Sequence, residues 1–486
     1  MGNSDPLRIK RRRQRFLPDA STVITRFFGP DSAGHRQRII RRVISLPGSE
    51  AKKILHAVMR DFSDRHRDLE AIFWHHYRRV EGLIENPQGL DRERKLLIGS
   101  FFTKEYAIAS AACFNPSIVP HPKQTGLAQG SKRVIFSFRV VGEGHISSLT
   151  FRSGVLAQNG RLIVKARGHF TETAKVARNP NFDKKLFTRI FEAELKRHKI
   201  FQTLFDALPE SFKFNELEEQ IDTFSRQQRP SKKQRETIAK ITWVARSNFS
   251  QTFRSTSRLS ERVVFPVSQN ESNGIEDARF VQFIDDNGSV RYYATFTAYD
   301  GRNIRPMLLE TKDFLKFKTL TLCGDAVRDK GMALFPRRLD GKYAMISRQD
   351  GENMYLMYSD HILFWKRAQL IKVPEQSWEF VKIGNCGSPI ETANGWLLLT
   401  HGVGAVRRYC IGALLLDLKD PAKIIGKLEE PLILPSDDER EGYVPNVVYT
   451  CGALLHNGAL IMPYAVSDTA SGIASIDLND VLNRMG

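Results

Sequence analysis

Asn273-Gly274-Ile275-Glu276-Asp277-Ala278-Arg279-Phe280 places two adjacent carboxylates and an arginine between a glycine and the β-type run of residues 280–284. Neighbouring side chains point to opposite faces of an extended segment. We therefore expect Asp277 and Arg279 to face one pocket and Glu276 to face away from it. A carboxyl group beside a guanidinium at the mouth of a strand suits proton transfer or the binding of a hydroxyl group, although such a pair also occurs as a simple ion pair.

Length and composition indicate a large, non-membrane protein. The 486 residues can bury a core spread over two or three structural units. No apolar run approaches the roughly 20 residues that span a bilayer, and the N-terminus leads into basic residues rather than a secretory signal. The five cysteines are odd in number and scattered, so neither a disulfide framework nor a Cys-x-x-Cys zinc site is expected. A cytoplasmic location follows as the default expectation.

The net charge of +19 raises the question of a nucleic-acid partner. Much of the excess lies in residues 8–15 and 36–42. Aromatic residues do not interleave with these basic runs as stacking platforms would. The pattern favours a solvated basic tail or helix face over nucleic-acid binding, and contact with an acidic partner subunit stays open.

Two helical regions are predicted. Apolar residues recur at three- and four-residue steps over residues 49–88, and a second helical pattern covers residues 92–111. We interpret residues 1–112 as a helical N-terminal extension without chemistry, through which a homo-oligomer could assemble. The same period returns at about residues 180–245, which predicts a helical insertion.

The remaining sequence is typical of short strands and turns. A strand over residues 134–141 and a return strand over residues 146–152 predict a hairpin that brings Arg139, Glu143 and His145 near one another. Beyond Phe249 a faint repeat appears at intervals of roughly 50 residues, which suits four-stranded propeller blades. It is carried by Thr311-Lys312-Asp313-Phe314, Ser359-Asp360-His361 and Leu416-Asp417-Leu418-Lys419-Asp420.

Several segments combine turn glycines or prolines with polar residues. They are Asn115-Pro116-Ser117 and residues 142–145, 274–279, 329–336, 341–348, 387–392, 395–402, 441–446 and 463–468. Taken in this order, they resemble glycoside hydrolase family 130, the mannoside phosphorylases and β-mannosidases. The resemblance implies a mainly β fold, a five-bladed β-propeller catalytic domain over residues 113–486, to which the helical extension and insertion are added.

The resemblance also implies roles for individual residues. Asp277 matches the proposed general acid, which protonates the glycosidic oxygen through the 3-hydroxyl of the sugar; Ala278 replaces the family's proline. The substrate-binding candidates are Asn115, Arg139, His145, Glu276, Arg279 and Asp468. The phosphate-binding candidates, for a phosphorylase, are Lys330, Arg348 and His401.

One position departs from the phosphorylase pattern. Glu391 stands where these enzymes carry a lysine. A carboxylate at this position would repel a phosphate dianion, whereas it could act as the base that deprotonates water. In an inverting hydrolase the acid and base carboxyls stand about 6.5–9.5 Å apart, so Asp277 with Glu391 or Glu441 is a candidate pair. Against this, the cationic candidates remain, and Arg407 and Arg408 add to them.

The sequence therefore predicts an enzyme that cleaves β-mannoside oligosaccharides with inversion, by hydrolysis as in a β-mannosidase. The alternative is inverting phosphorolysis, with inorganic phosphate as co-substrate and mannose 1-phosphate as product. A third hypothesis, of another class, is a non-catalytic propeller scaffold. No metal or organic cofactor is implied, and neither nucleic acid nor membrane is an expected partner.

Overall fold

The computed structural model of the chain describes residues 9–178, 180–191, 199–227 and 229–485. Across these residues the protein is mainly β with some helices, which confirms the predicted fold class at that level. Within the described residues, no helix combines the length and the apolar character that crossing a bilayer requires.

Four N-terminal helices pack around one apolar core. They are α1 (Ala33–Ile44), α2 (Gly48–Phe62), α3 (Leu69–Arg78) and α4 (Arg92–Phe101). The side chain of Asp91 begins α4 by accepting a hydrogen bond from the Arg94 N–H at 2.6 Å. The α3 and α4 helices meet at Gly99, where an added Cβ would lie 1.9 Å from the Phe73 carbonyl oxygen. Only glycine permits this approach.

Part of residues 1–112 is strand rather than helix. Strand β2 (Val23–Phe27) pairs antiparallel with β3 (Thr103–Ala107). The helix predicted over residues 92–111 is therefore wrong beyond Phe101. Residues 103–107 pair with β2 along their whole length, and Tyr106 is buried.

The first basic run also differs from its prediction as a solvated tail or helix face. Residues Lys10–Phe16 form β1, which pairs antiparallel with the C-terminal strand β30 (Ala470–Asp477). Arg11 and Arg15 form ion pairs with the buried carboxylate of Glu439, at 3.3 and 3.2 Å. The carboxylate partner lies more than four hundred residues away in the sequence, so the local pattern could not reveal it.

Most of the remaining strands form five groups, which are mostly antiparallel and are numbered by the order of their main strands along the chain. Group 1 contains β4 (Ala112–Pro120), β5 (Lys132–Val141), β6 (Ser147–Leu156), β7 (Leu162–Val164) and β13 (Arg262–Val264), which also pairs with β8 (Glu172–Thr173). Group 2 contains β14 (Gly274–Ile284), β15 (Val290–Tyr299), β16 (Ile304–Thr311) and β17 (Lys316–Thr321), continued by β12 (Phe249–Thr252) and β9 (Lys175–Ala177). A single parallel pair, Gly274 with Ser147, joins groups 1 and 2.

Groups 3 to 5 complete the sequence of sheets. Group 3 contains β18 (Ala333–Leu334), β19 (Tyr343–Ser347), β20 (Met354–Ser359) and β21 (Gln369–Lys372). Group 4 contains β22 (Lys382–Asn385), β23 (Ile390–Thr392), β24 (Gly395–Val403), β25 (Tyr409–Leu416) and β26 (Ile424–Lys427). Group 5 contains β27 (Val448–Tyr449), β28 (Leu454–His456), β29 (Ala459–Val466) and β30, with β1 at its edge.

The apolar cores lie between successive groups. Group 1 shares a core with group 2, group 2 with group 3, group 3 with group 4, and group 4 with group 5. Group 5 then packs back on group 1, because Ile461 and Ile473 lie in one cluster with Phe136 and Phe138. Apolar burial thus joins the first and last groups of strands, and β1 ties the N-terminal segment to the last group.

The helical insertion has a core of its own. Its helices are α5 (Lys184–Ile190), α6 (Lys199–Asp206), α7 (Phe214–Gln227) and α8 (Lys232–Arg246), accompanied by the strand pair β10 (Asn181–Asp183) and β11 (Ser211–Lys213). Phe187, Leu217 and Ile241 are among its buried residues. A last helix, α9 (Leu478–Leu482), follows β30. The domain boundary between residues 112 and 113 stays a prediction.

Candidate functional site

A β-bulge shapes the stretch that carries Asp277. In β14, Glu276 pairs with Thr297 and Arg279 pairs with Thr295, so Asp277 and its successor lie opposite a single residue of β15. Asp277 has a φ of 53°, in the left-handed region that non-glycine residues seldom adopt. A bulge changes the direction of the side chains beside it, and such irregularities are frequent next to active sites.

The bulge turns Glu276 and Asp277 toward the same arginine. Arg139, on β5, donates from Nη2 to Glu276 Oε1 at 2.8 Å and from Nη1 to Asp277 Oδ1 at 3.2 Å. Asp277 and Arg279 line the cavity described below and Glu276 does not, in agreement with the predicted alternation, although both carboxylates share Arg139 as a partner.

Asn115 supplies the second hydrogen bond to Asp277. Its Nδ2 donates to Asp277 Oδ1 at 2.7 Å. The backbone of Asn115 also has a positive φ, of 46°, at a register shift between Phe114 and Ser117 in β4. Two irregular strands from groups 1 and 2 therefore bring this amide and this carboxylate into contact.

Arg279 is held by the backbone and by a tyrosine. Its Nε donates to the Cys386 carbonyl oxygen at 2.7 Å, and its Nη1 donates to the Asp277 carbonyl oxygen at 2.9 Å. The Nη2 donates to the Tyr449 hydroxyl at 2.6 Å. The guanidinium thus links groups 2, 4 and 5, and its positive charge helps to lower the pKa of Asp277.

Lys330 and Arg348 add two more cations. Lys330 Nζ donates to Glu276 Oε2 at 3.0 Å. Arg348 is buried, with its Nε 3.3 Å from the Lys330 carbonyl oxygen and 3.4 Å from Asp329 Oδ2. Glu276 therefore lies between Arg139 and Lys330, where it fixes both side chains.

These residues surround a cavity of about 210 Å³. Its lining is Asn115, Arg139, Asp277, Arg279, Lys330, Arg348, Lys382, His401, Arg407, Tyr409, Val447, Tyr449 and Asp468. Six of these side chains are cationic and two are carboxylates. The excess of positive charge makes the cavity suited to an anion.

The two carboxylates of the cavity have opposite pKa shifts. Burial alone would raise the pKa of Asp277, but Arg139, Arg279 and the Asn115 hydrogen bond outweigh it and lower that pKa to about 2. Burial and the neighbouring charge of Asp277 raise the pKa of Asp468 to about 6. At neutral pH and without a bound anion, Asp277 is therefore ionised, while Asp468 takes up a proton far more readily.

His401 is a neutral imidazole in this environment. Burial, with the positive charges of Arg348 and Lys382, lowers its pKa well below the usual value. Its Nδ1 is buried and has no hydrogen-bond partner among the described residues. A ring nitrogen in this state can donate to a ligand oxygen without contributing charge.

Four of the predicted site residues lie outside the cavity lining: Glu276, Glu391, Glu441 and His145. Glu391, on the short strand β23, is 43% exposed in its side chain and pairs with Arg337 at 2.6 Å. Glu441 is exposed in a loop. The expected pairing of Glu391 or Glu441 with Asp277 is therefore corrected: Glu391 pairs with Arg337, and Glu441 is not among the lining residues.

The predicted hairpin forms from β5 and β6, but its polar residues separate. Arg139 turns into the cavity, whereas Glu143 pairs with Lys104 at 2.6 Å. His145 is exposed, and its Nδ1 lies 3.4 Å from the Tyr443 hydroxyl. The expectation that Arg139, Glu143 and His145 converge is wrong, because the turn after β5 carries the last two outward.

Sequence reasoning missed Lys382, Tyr409 and Tyr449 as cavity residues. Lys382 Nζ lies 5.3 Å from the ring centroid of Tyr409, and Tyr449 binds Arg279. Each lies in or beside a strand with no local motif, so no signal in the sequence marked it. Among the described residues, no cluster of three or more His, Cys, Asp or Glu side chains could hold a metal ion.

Comparisons with known proteins agree on one family. The sequence model described as beta-1,4-mannooligosaccharide phosphorylase, of glycoside hydrolase family 130, matches residues 224–486. A 1,2-beta-oligomannan phosphorylase of Thermoanaerobacter sp. (strain X514) is 32% identical over 46% of this chain and 75% of its own length. A beta-1,2-mannobiose phosphorylase from the same organism is 34% identical over 46% of this chain and 74% of its own length.

Solved structures give a weaker likeness. The beta-1,2-mannobiose phosphorylase of Listeria innocua, in complex with beta-1,2-mannobiose, aligns with 77% of this chain and 92% of that chain. The TM-score is 0.46 and the sequence identity is 19%.

Proposed function

The chain belongs to glycoside hydrolase family 130, and on that premise we propose that it cleaves β-mannosides by inverting phosphorolysis, giving mannose 1-phosphate. It is an enzyme of that family's glycoside hydrolase or phosphorylase type. The matched relatives named above are phosphorylases of β-mannosides, which supports the phosphorolytic alternative over hydrolysis. The proposed substrate class is therefore a β-mannoside oligosaccharide with inorganic phosphate.

The charge of the cavity is the observation that carries this proposal. Six cations and two carboxylates line it, and Glu391, the residue that argued for hydrolysis, lies outside that lining and pairs with Arg337. A phosphate dianion leaving water needs charge-assisted hydrogen bonds, and Arg and Lys supply them. Attack by water would need a base, and neither of the proposed bases, Glu391 and Glu441, is among the residues that line the cavity.

We assign the phosphate to the side of the cavity lined by Arg348 and His401. Lys330, Lys382 and Arg407 are the further cations that would neutralise the dianion there. One phosphate oxygen attacks the anomeric carbon as the bond to the leaving oxygen breaks, so the configuration inverts in a single displacement.

We assign the acid role to Asp277, with a sugar hydroxyl relaying its proton to the leaving oxygen. Asn115, Arg139 and Asp468 would hold that sugar, and Glu276 would fix Arg139. Asp277 must be protonated to act, although its pKa in the empty cavity is about 2. A bound phosphate dianion offsets the field of the cations, which raises that pKa and allows the carboxyl group to take up its proton.

We further propose that the five strand groups are the blades of a five-bladed β-propeller. The order in which their cores pack supports this, since each group contacts the next and group 5 returns to group 1. Such an arrangement explains why cavity residues come from segments as distant as Asn115 and Asp468.

Product analysis with and without phosphate tests the proposal. Purified protein is incubated with β-1,2- and β-1,4-mannobiose, and mannose and mannose 1-phosphate are quantified separately. We expect mannose 1-phosphate from at least one substrate, in proportion to the phosphate supplied. Phosphate-independent release of mannose would instead favour hydrolysis, and the absence of both products from any β-mannoside would favour the scaffold hypothesis.

A further inference from the structure

A second cavity, of about 320 Å³, lies between the N-terminal segment and the strands of group 1. It shares no lining residue with the cavity around Asp277. Residues 14–17 of the N-terminal segment cover one side, and β5, β6 and β13 contribute the other. Its volume is within the range of about 300–1,000 Å³ that is usual for small-molecule sites.

The walls combine apolar and polar side chains in similar number, and four of the polar ones carry charge: Arg15, Asp19, Arg152 and Lys165. Cys113, Phe138 and Val140 are buried apolar residues of the lining. Thr150 and Arg152, on β6, present a hydroxyl and a guanidinium to the same space. In such a site the apolar surface can hold the body of a small organic ligand while the polar groups fix its orientation.

Arg152 brings a positive charge that forms no salt bridge within the described residues. Its one hydrogen bond within the described part of the chain is from Nη1 to the Phe151 carbonyl oxygen, at 3.2 Å. Asp19, which also lines the cavity, acts on Arg152 from beyond ion-pair distance and itself pairs with Arg167 at 3.3 Å. Burial lowers the pKa of Arg152, which agrees with a guanidinium withdrawn from solvent.

The two cavities use opposite faces of the same strands. Phe138 and Val140 point into the second cavity, while Arg139 between them points toward Asp277. On β4, Cys113 lines the second cavity and Asn115 lines the first. A ligand in the second cavity would therefore contact the strands that position two substrate-binding candidates.

We propose that this second cavity binds a small organic oxyanion, a carboxylate or phosphate monoester on an apolar body, with its head group on Arg152. An arginine presents paired N–H donors in a planar fork that matches carboxylate and phosphate oxygens. Phe138 and Val140 would contact the apolar body, and residues 14–17 would cover it.

Calorimetric titration of the full chain, without any sugar substrate, tests this proposal. The probes are benzoate and phenyl phosphate, which share a ring and differ in head group, with neutral benzyl alcohol as the control. We expect at least one oxyanion to bind with a Kd below about 10 mM and benzyl alcohol to bind at least about tenfold more weakly. The two oxyanions distinguish a carboxylate site from a phosphate site.

Three variants test whether the probes bind in the second cavity. Arg152→Gln should raise the Kd by about tenfold or more, since it removes a charge-assisted hydrogen bond to the oxyanion. Thr171→Phe, at the half-buried rim, should block entry without removing a charge. Arg161→Gln removes an exposed arginine outside the cavity and should leave the Kd unchanged within about twofold.

The proposal fails if neither oxyanion binds the wild-type chain, or if Arg152→Gln and Thr171→Phe both bind as the wild type does. Binding abolished by Arg348→Ala but not by Arg152→Gln would assign the probe to the catalytic cavity and would equally overturn it. None of these outcomes depends on phosphorolysis, so the two proposals can fail independently.

Discussion

Asp277 and Glu391 are both carboxylates at motif positions and each contacts an arginine, yet they differ in exposure and in the number of cations around them. Asp277 is on a bulge, withdrawn from water, and bonded to Asn115 and Arg139. Glu391 is on a short surface strand, half exposed, in a two-point contact with Arg337. A carboxylate thus becomes a catalytic candidate because of the cavity it lines and the electrostatic field of the charges around it. Its position in the sequence alone reveals neither.

The two carboxylates also differ in how strongly the neighbouring charges act on them. An exposed Arg–Glu pair is screened by water and typically contributes about 0–1 kcal/mol. Around Asp277 the cations outweigh burial and keep the carboxyl group ionised until an anion offsets them. Substitutions at the two positions should therefore differ in their effects by orders of magnitude.

Asp277→Asn is expected to have the largest effect. Asparagine keeps the shape and tolerates the positive φ, but it cannot give up a proton, so activity should fall below about a hundredth of the wild-type value. The measurement is the initial rate of mannose 1-phosphate release, with circular dichroism as the control for folding. A folded variant that retains most of the activity would remove Asp277 from the acid role.

Arg348→Ala compared with Arg337→Ala tests which arginine binds phosphate. Loss of the cavity arginine should raise the KM for phosphate about tenfold or more, because a charge-assisted contact is removed. Loss of Arg337, which pairs with Glu391 outside the cavity, should leave that KM unchanged within about twofold. Equal effects of the two substitutions would contradict the placement of phosphate beside Arg348.

Asp468→Asn should stabilise the protein while impairing catalysis. The raised pKa of about 6 means that the folded state binds a proton more tightly than the unfolded state between about pH 4 and 6. The stabilisation that the protonated Asp468 carboxyl gives to the folded state is thus present at low pH and is lost as the pH rises through 6. Removing the charge should raise the free energy of unfolding by about 1–3 kcal/mol at pH 8.

Urea unfolding at pH 8 and pH 5 measures this effect. The gain should be smaller at pH 5, where the folded wild type already carries the proton on Asp468. A gain that is equal at both pH values would mean that the charge on Asp468 is not the cause.

Glu391→Gln should have the smallest effect. Activity should stay within about twofold of the wild type and the free energy of unfolding within about 1 kcal/mol, as for a screened surface pair. Product analysis and urea unfolding of the same preparation provide both numbers. A loss of a hundredfold, which the removal of a general base produces, would revive the hydrolytic hypothesis.

The sequence allowed part of this site to be predicted. Asn115, Arg139, Asp277, Arg279, Lys330, Arg348, His401 and Asp468 were all chosen from motifs, and the structure brings them to one cavity. Lys382, Tyr409 and Tyr449 were missed because each is a single polar residue in or beside a strand. Glu391 was assigned a role because its position in a motif says nothing about the direction of its side chain.

The sequence by itself determined the mainly β class with added helices and the residue types gathered for anion chemistry, because periodicity and ordered motifs are local properties of the chain. The tertiary structure alone decided which way those side chains point. The bulge at Asp277 turned two neighbouring carboxylates toward one arginine, and the pairing of Lys10–Phe16 with β30 made a basic run part of a sheet. Both depend on contacts between residues far apart in the chain, where bulges and distant partners leave no local periodic signal.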